Sequence, residues 1–210
     1  MKAAQNKINV LIADDHKMVR VALKTLLETE KDISVIGLAE NGKDAVKKAT
    51  LLKPDVIIMD LVMPMMDGVA ATTEIHSRMP QAKILILTTF GTSDGIAHAL
   101  NHGASGAMMK NADTSELVAA IRKVHNGEKY IPEDISRQLE TDPPAPELTP
   151  RQKDVLISMS RGLTNPDIAK ELGIRRDRVK EHVDAILTKI GAANRTEAVV
   201  IAIRKHLLKI

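Results

Sequence analysis

A doubly wound parallel α/β domain followed by an all-α domain is the fold class this sequence predicts. Three observations carry it. Residues 8–127 alternate apolar runs with segments of helical periodicity, five of each. Such alternation folds through right-handed βαβ crossovers into a parallel sheet covered on both faces. Thr141–Glu147 reads TDPPAPE, three prolines and two acids in seven residues, which is the composition of an extended linker. Every segment beyond it reads as helix.

The elements follow in order. INVLIADD (Ile8–Asp15) is a short apolar run ending in two carboxylates, the first strand. HKMVRVALKTLLETE places Val19, Ala22, Leu23, Leu26 and Leu27 on one helical face. ISVIGLAE is the second strand and GKDAVKKATLL the second helix. DVIIMD is the third strand, and DGVAATTEIHSRM the third helix, with Ala and Glu as helix formers. KILILTT is a fourth strand, apolar enough for a sheet buried on both sides. SDGIAHALNHG is a helix ended by Gly103, SGAMMK the fifth strand, and SELVAAIRKVHNG a helix with Gly127 past its end. These elements make a (βα)5 domain over residues 1–130. A short helix, PEDISRQLE, and the linker fill 131–147. Residues 148–210 form the second domain, with four helices at Pro150–Ser160, Asn165–Leu172, Arg176–Ile190 and Thr196–Leu208.

Composition limits the function classes. The chain has 210 residues, 44% of them hydrophobic, with mixed charge, so it is globular with a proper core. No apolar run approaches the ~20 residues of a membrane span, and the opening MKAAQNK lacks the apolar stretch of a signal peptide. Cysteine is absent, which excludes disulfides and thiolate metal sites. A cytoplasmic protein with no membrane partner is expected. Net charge is +3, unevenly spread. From Glu147 onward 13 Lys and Arg stand against 8 Asp and Glu, leaving 17 against 19 in the first 146 residues. A basic half beside a mildly acidic half suggests two tasks, one with a polyanion.

Ligands of an open parallel sheet bind outside the carboxyl ends of its strands. Here the first strand ends in Asp14 and Asp15, the third in Asp60, the fourth in Thr88 and Thr89, and the fifth in Lys110. Three crowded carboxylates repel one another. A hard dication relieves this, and oxygen-only ligands favour Mg2+. Metal, lysine and hydroxyl together supply what a developing phosphoryl group needs, namely neutralised charge and hydrogen bonds to its oxygens. Asp60 is then the nucleophile. Singly, each residue also suits a cap or a turn: Asp14 or Asp15 for the first helix, Asp67 for the third. Their joint occurrence at four strand ends favours a site.

This pattern resembles the receiver domain of two-component response regulators. The carriers are ADD at Ala13–Asp15, DLVMPMMDG at Asp60–Gly68, Thr88 and Lys110, and the resemblance covers residues 7–127. It implies that Asp60 is phosphorylated by a sensor histidine kinase, with at most slow self-dephosphorylation. It further implies that Asp15, Asp60 and the Val62 carbonyl hold Mg2+, with Asp14 nearby, that Thr88 follows the phosphoryl group, and that Lys110 pairs with it. Two positions depart from the family. The switch position three residues before the lysine, usually Tyr or Phe, is Ala107, and the Pro that often follows the lysine in a cis bond is Asn111.

In the basic half, GLTNPDIAKELGIRRDRVKEHVDAILTKI holds two helices joined by a turn at Gly173. Ile168, Ala169, Leu172, Val179, Val183, Ile186 and Ile190 form one core. Lys180, Glu181, Asp184 and Thr188 then face outward, and Arg175, Arg176 and Arg178 crowd the N-terminus of the longer helix. That layout suits a recognition helix in a major groove with arginines beside phosphates, and equally an amphipathic pair in a protein-binding module. Residues 148–203 resemble the LuxR-type (NarL/FixJ-type) helix-turn-helix of the same regulators, through LTPRQKDVL, GLTNPDIAKEL, VKEHV and NRTEAV. The resemblance implies binding of double-stranded DNA as a homodimer when active, with Thr164, Asn165 and Lys189 joining the seven residues above as contacts. The apolar stripe of TEAVVIAIRKHLL is a candidate dimer seam. Departures are Arg175 where a Ser usually opens the recognition helix, Arg178 in place of Thr, and the acids Glu181 and Asp184 on the outward face. Lys180 and Asp184 are four apart, spaced to neutralise each other.

Other classes fit less well. A haloacid-dehalogenase-like phosphatase needs a second Asp two residues after the first, where Val62 stands. A dinucleotide-binding oxidoreductase needs a Gly-rich turn after the first strand, and ADDHKM has none. His98 and His102, four apart on one helix, lack a third ligand nearby and read as surface residues. A regulator acting through partners without phosphate remains open at Ala107 and Asn111.

Overall fold

Parallel strands β1 (Ile8–Ala13), β2 (Ile33–Ala39), β3 (Val56–Met59), β4 (Ile84–Thr88) and β5 (Gly106–Met109) form one sheet in the computed structural model. Their order is β2-β1-β3-β4-β5. The structure describes residues 7–89, 93–141, 148–205 and 207–208. The stretch read as a linker lies outside them from residue 142 onward.

Alternation along the strands sorts the core into two layers. Val10, Ile12, Ile58, Leu85 and Leu87 face α1 (Lys17–Leu27) and α5 (Thr114–His125). Leu11, Ile57, Met59, Ile84 and Ile86 face α2 (Gly42–Leu52), α3 (Gly68–Arg78) and α4 (Ser93–Asn101). Every residue of β3 and β4 is buried, because helices cover both faces of the central strands. Helix starts are fixed by side chains: Asn41 Oδ1 accepts the Asp44 amide and Asp67 Oδ1 the Ala70 amide, both at 2.9 Å. Gly68 has a different task. A Cβ there would stand 2.1 Å from the Asp60 carbonyl oxygen, so only glycine lets α3 start against the end of β3.

After α5 the chain returns along the sheet edge. The Ala107 amide donates to the Tyr130 carbonyl at 2.9 Å, and the Tyr130 amide to Ser105 at 3.2 Å. α6 (Glu133–Thr141) then buries Ile135 in the layer beneath α4.

The chain divides into two compact units, residues 1–143 and 144–210. The second holds α7 (Pro150–Ser160), α8 (Asn165–Leu172), α9 (Arg176–Ile190) and α10 (Arg195–Arg204). Its core joins Val155, Leu156, Ile168, Val179, Val183, Ile186 and Ala198, with Ala169, Leu172 and Ile190 partly buried against them. Thr149 and Gln152 form a capping box at the start of α7. The last helix is shorter than its periodicity predicts, ending at Arg204 instead of Leu208. The Leu207 amide turns back to the Ala202 carbonyl at 2.9 Å, and Leu208 tucks into the core. Burying that leucine outweighs one more exposed turn.

Candidate functional site

The sheet reverses direction of growth between β1 and β3, and the crevice at such a switch point receives ligands. Backbone bonds carry the ladder one residue past the strands. Asp14 N–H donates to Ala39 O at 3.1 Å, Asp60 N–H to Ala13 O at 2.9 Å, and Lys110 N–H to Thr88 O at 2.8 Å. The carboxylates and the ammonium are therefore posted by sheet geometry, not by mobile loops.

Lys110 Nζ sits between two nearly buried acids, 2.6 Å from Asp14 Oδ2 and 2.7 Å from Asp60 Oδ2. Only 2% of Asp14 and 4% of Asp60 is exposed. Burial pushes the Asp60 carboxyl above the ordinary range; the Lys110 hydrogen bond and charge pull it back, and the Asp14 charge adds to the rise. Burial works against the Lys110 charge, but hydrogen bonds to Asp14 and Asp60 hold its pKa above the usual lysine value. The pocket thus balances two acids with one fixed cation and leaves Asp15 over.

Asp15 Oδ1 and Thr88 Oγ1 are shut off from solvent without a hydrogen-bond partner. Orphaned buried oxygens are rare and ask for a ligand. Asp14, Asp15, His16 and Asp60 each bring one donor atom within 4.8 Å of the others. The donor set fits a divalent cation, and the Thr88 hydroxyl is unspent. Val62 stands in the loop after β3 with an exposed side chain, and its backbone amide weakly opposes the rise of the Asp60 carboxyl.

Two residues of this pocket escaped sequence reasoning. His16 follows the acid pair directly, and its Nδ1 lies 2.7 Å from Asp15 Oδ1. Arg20 Nη1 donates to the Asp14 carbonyl at 2.5 Å; its position one helical turn after His16 was the available clue. The alternative reading of Asp14 or Asp15 as helix cap is corrected. His16 occupies the N-cap of α1, and Asp14 Oδ1 accepts its amide at 2.8 Å. Ala107 is fully buried, with no ring at the switch position. Asn111 is exposed, and no described peptide bond is cis. His102 Nδ1 lies 2.7 Å from the His98 carbonyl oxygen, so that ring serves its own helix.

On α9, Lys180, Glu181, Asp184 and Thr188 are exposed, as are Arg175, Arg176 and Arg178, while Val179, Val183 and Ile186 are buried. Arg175 sits at the N-cap without a side-chain cap bond. The ion pair on this face is Arg178–Glu181 at 2.7 Å, beside Arg175–Asp177 at 3.3 Å. Among the described residues Lys180 and Asp184 form none; the Thr188 hydroxyl instead donates to the Asp184 carbonyl. At the start of α8 the Asp167 carboxylate accepts both the amide and the hydroxyl of Thr164. Asn165 and Lys189 are half-buried, Lys189 Nζ lying 3.2 Å from Gln152 Oε1.

Residues 10–122 match the family described as the response regulator receiver domain, and residues 146–202 that of bacterial regulatory proteins, luxR family. Response regulator protein VraR of Staphylococcus epidermidis is 39% identical over 207 residues, covering 96% of this chain and 99% of the relative. VraR of Staphylococcus aureus is 38% identical with the same coverage. Among solved structures, the response regulator ChrA of a heme-sensing two-component system is 30% identical with a TM-score of 0.57, spanning 97% of this chain and 100% of that one. A complex of the response regulator RcsB with DNA is 26% identical with a TM-score of 0.65, spanning 95% and 99%. No described helix is long and apolar enough to cross a membrane.

Proposed function

The chain belongs to the two-component response regulators that join a receiver domain to a LuxR-type helix-turn-helix and regulate transcription, and we propose that phosphorylation of Asp60 governs its DNA binding. The observation that carries this reading is Lys110 clasping Asp60 Oδ2 at 2.7 Å. The clasp fixes the carboxylate plane and leaves Oδ1 as the nucleophile. Asp60 attacks phosphorus of a phosphohistidine on a sensor kinase, the P–N bond breaks, and the imidazole leaves with its electron pair. Asp15, Asp60 and the Val62 carbonyl would hold Mg2+, which when bound would neutralise charge on the phosphoryl oxygens. Lys110 then pairs with the phosphoryl group and Thr88 donates its unspent hydroxyl to it. Water returns the site to carboxylate slowly, since Val62 stands two residues after Asp60 where a second acid would serve as acid and base.

The partner of the second unit is double-stranded DNA, met by a homodimer when active. One helix-turn-helix buries only ~600–1,000 Å2, and the exposed Val200 and Ile203 on α10 offer a seam for pairing. The place of action is the cytoplasm, where kinase output and DNA meet. Incubation with Mg2+ and acetyl phosphate tests the acceptor. Intact mass should show one phosphoryl group on the parent chain and none on Asp60→Asn; equal uptake by both would refute the assignment.

A further inference from the structure

We propose that His16 is a nitrogen ligand of the cation in this pocket and tilts the site toward imidazole-accepting dications such as Co2+, Ni2+ or Zn2+ over Mg2+. The inference rests on the reading that Asp15 and Asp60 hold a divalent cation.

His16 occupies the N-cap of α1, where a Ser, Thr, Asp or Asn would satisfy a helix amide. Its ring makes no such bond. It turns to the acids instead, with Nδ1 2.7 Å from Asp15 Oδ1 and 3.5 Å from Asp14 Oδ1. The shorter contact lies at ion-pair distance but is not aligned as a hydrogen bond. Two donors on adjacent corners of an octahedron, each about 2.1 Å from the metal, stand about 3.0 Å apart. The 2.7 Å spacing is close to that of donors sharing an ion.

Most other oxygens of the pocket are committed. Lys110 takes Asp14 Oδ2 and Asp60 Oδ2, and the His16 amide takes Asp14 Oδ1. Asp60 Oδ1 is kept for the phosphoryl group, and Asp15 Oδ1 has no hydrogen-bond partner, with His16 Nδ1 beside it. The His16 side chain is 69% exposed, so it reaches the ion from the solvent side, at a corner that water fills in an all-oxygen site. Mg2+ keeps its waters and prefers oxygen. Imidazole suits the later first-row dications, whose affinities rise along that row to copper. A nitrogen at this corner therefore strengthens Co2+ binding and leaves Mg2+ nearly indifferent.

The test titrates the full chain with Co2+ and with Mg2+ by calorimetry, and records proton spectra of the Co2+ form. The proposal expects a hyperfine-shifted imidazole proton that disappears in His16→Gln, and a Co2+-over-Mg2+ affinity ratio at least about tenfold lower in that variant. An unchanged ratio, or a shifted proton that persists in His16→Gln, overturns it while Mg2+ binding stands. Asp15→Ala separates the two readings: if it keeps the parent's affinity for both ions, the pocket itself is not the cation site, and the role of His16 falls with it.

Discussion

Lys110 Nζ bonds Asp60 Oδ2 at 2.7 Å although β5 and β3 are not neighbours; β4 runs between them. A lysine with two contacts to buried acids is both a strut and a charge balance. Its removal leaves Asp14 and Asp60 facing each other without a cation.

Lys110→Met should therefore destabilise the receiver unit by about 3–5 kcal/mol, the cost of stripping one partner from a buried ionic cluster. Urea unfolding of the parent and variant measures this. Mg2+ should return part of the loss, because a dication can replace the missing charge. A variant as stable as the parent without Mg2+ would show that the clasp contributes nothing.

Gly68→Ala should disturb the same site from the backbone side. The new Cβ meets the Asp60 carbonyl oxygen at 2.1 Å, so β3 or α3 must shift, at about 1–3 kcal/mol. Phosphoryl uptake from acetyl phosphate should slow alongside. Parental stability and uptake together would mean that the turn relaxes freely.

Tyr130 gives a pH prediction with a direct readout, because the chain has one tyrosine and no tryptophan. Burial, then a 2.7 Å hydrogen bond to Glu116, pushes its phenol up to about 12. An unfolded tyrosine titrates near pH ~10. The folded pKa is raised, so this contribution to stability is present below pH ~10 and is lost as pH rises through about 12. Absorbance of phenolate should follow that order, and Glu116→Gln should lower the folded midpoint. A native-state midpoint at the ordinary value would contradict the buried bond.

On α9, Lys180→Ala should cost ~1–3 kcal/mol at the preferred sequence if it reads a base. Arg176→Ala should instead weaken all sequences alike and reduce the salt dependence. Glu181 is neutralised by Arg178 at 2.7 Å, which leaves its other oxygen for cytosine N4. Glu181→Ala should relax preference at one base pair in a randomised-site selection. Uniformly tighter binding would show that the acid only repels phosphate.

Much of this was legible in the sequence because the site lies at strand ends. The apolar run of a strand fixes where it ends, which puts Asp14, Asp60, Thr88 and Lys110 at the carboxyl edge of the sheet. The core of the second unit was legible for the same reason, since 3.6-residue spacing decides which side of a helix is buried. What failed was side-chain direction. Spacing permits both i,i+3 and i,i+4 pairs, and the structure joins Arg178 to Glu181 where Lys180 and Asp184 were expected. His16 and Arg20 were missed because their roles depend on how α1 leaves β1. Periodicity carries α10 to Leu208, whereas the helix ends at Arg204 and Leu208 returns to the core through a turn that periodicity does not encode.

The most direct measurement of the central claim is a footprint on genomic DNA with parent and Asp60→Asn chains, each incubated with Mg2+ and acetyl phosphate or with Mg2+ alone. The account predicts protection of defined sites at lower protein concentration for the phosphorylated parent than for the other three samples. Identical protection in all four, or no preferred site in any, would contradict it.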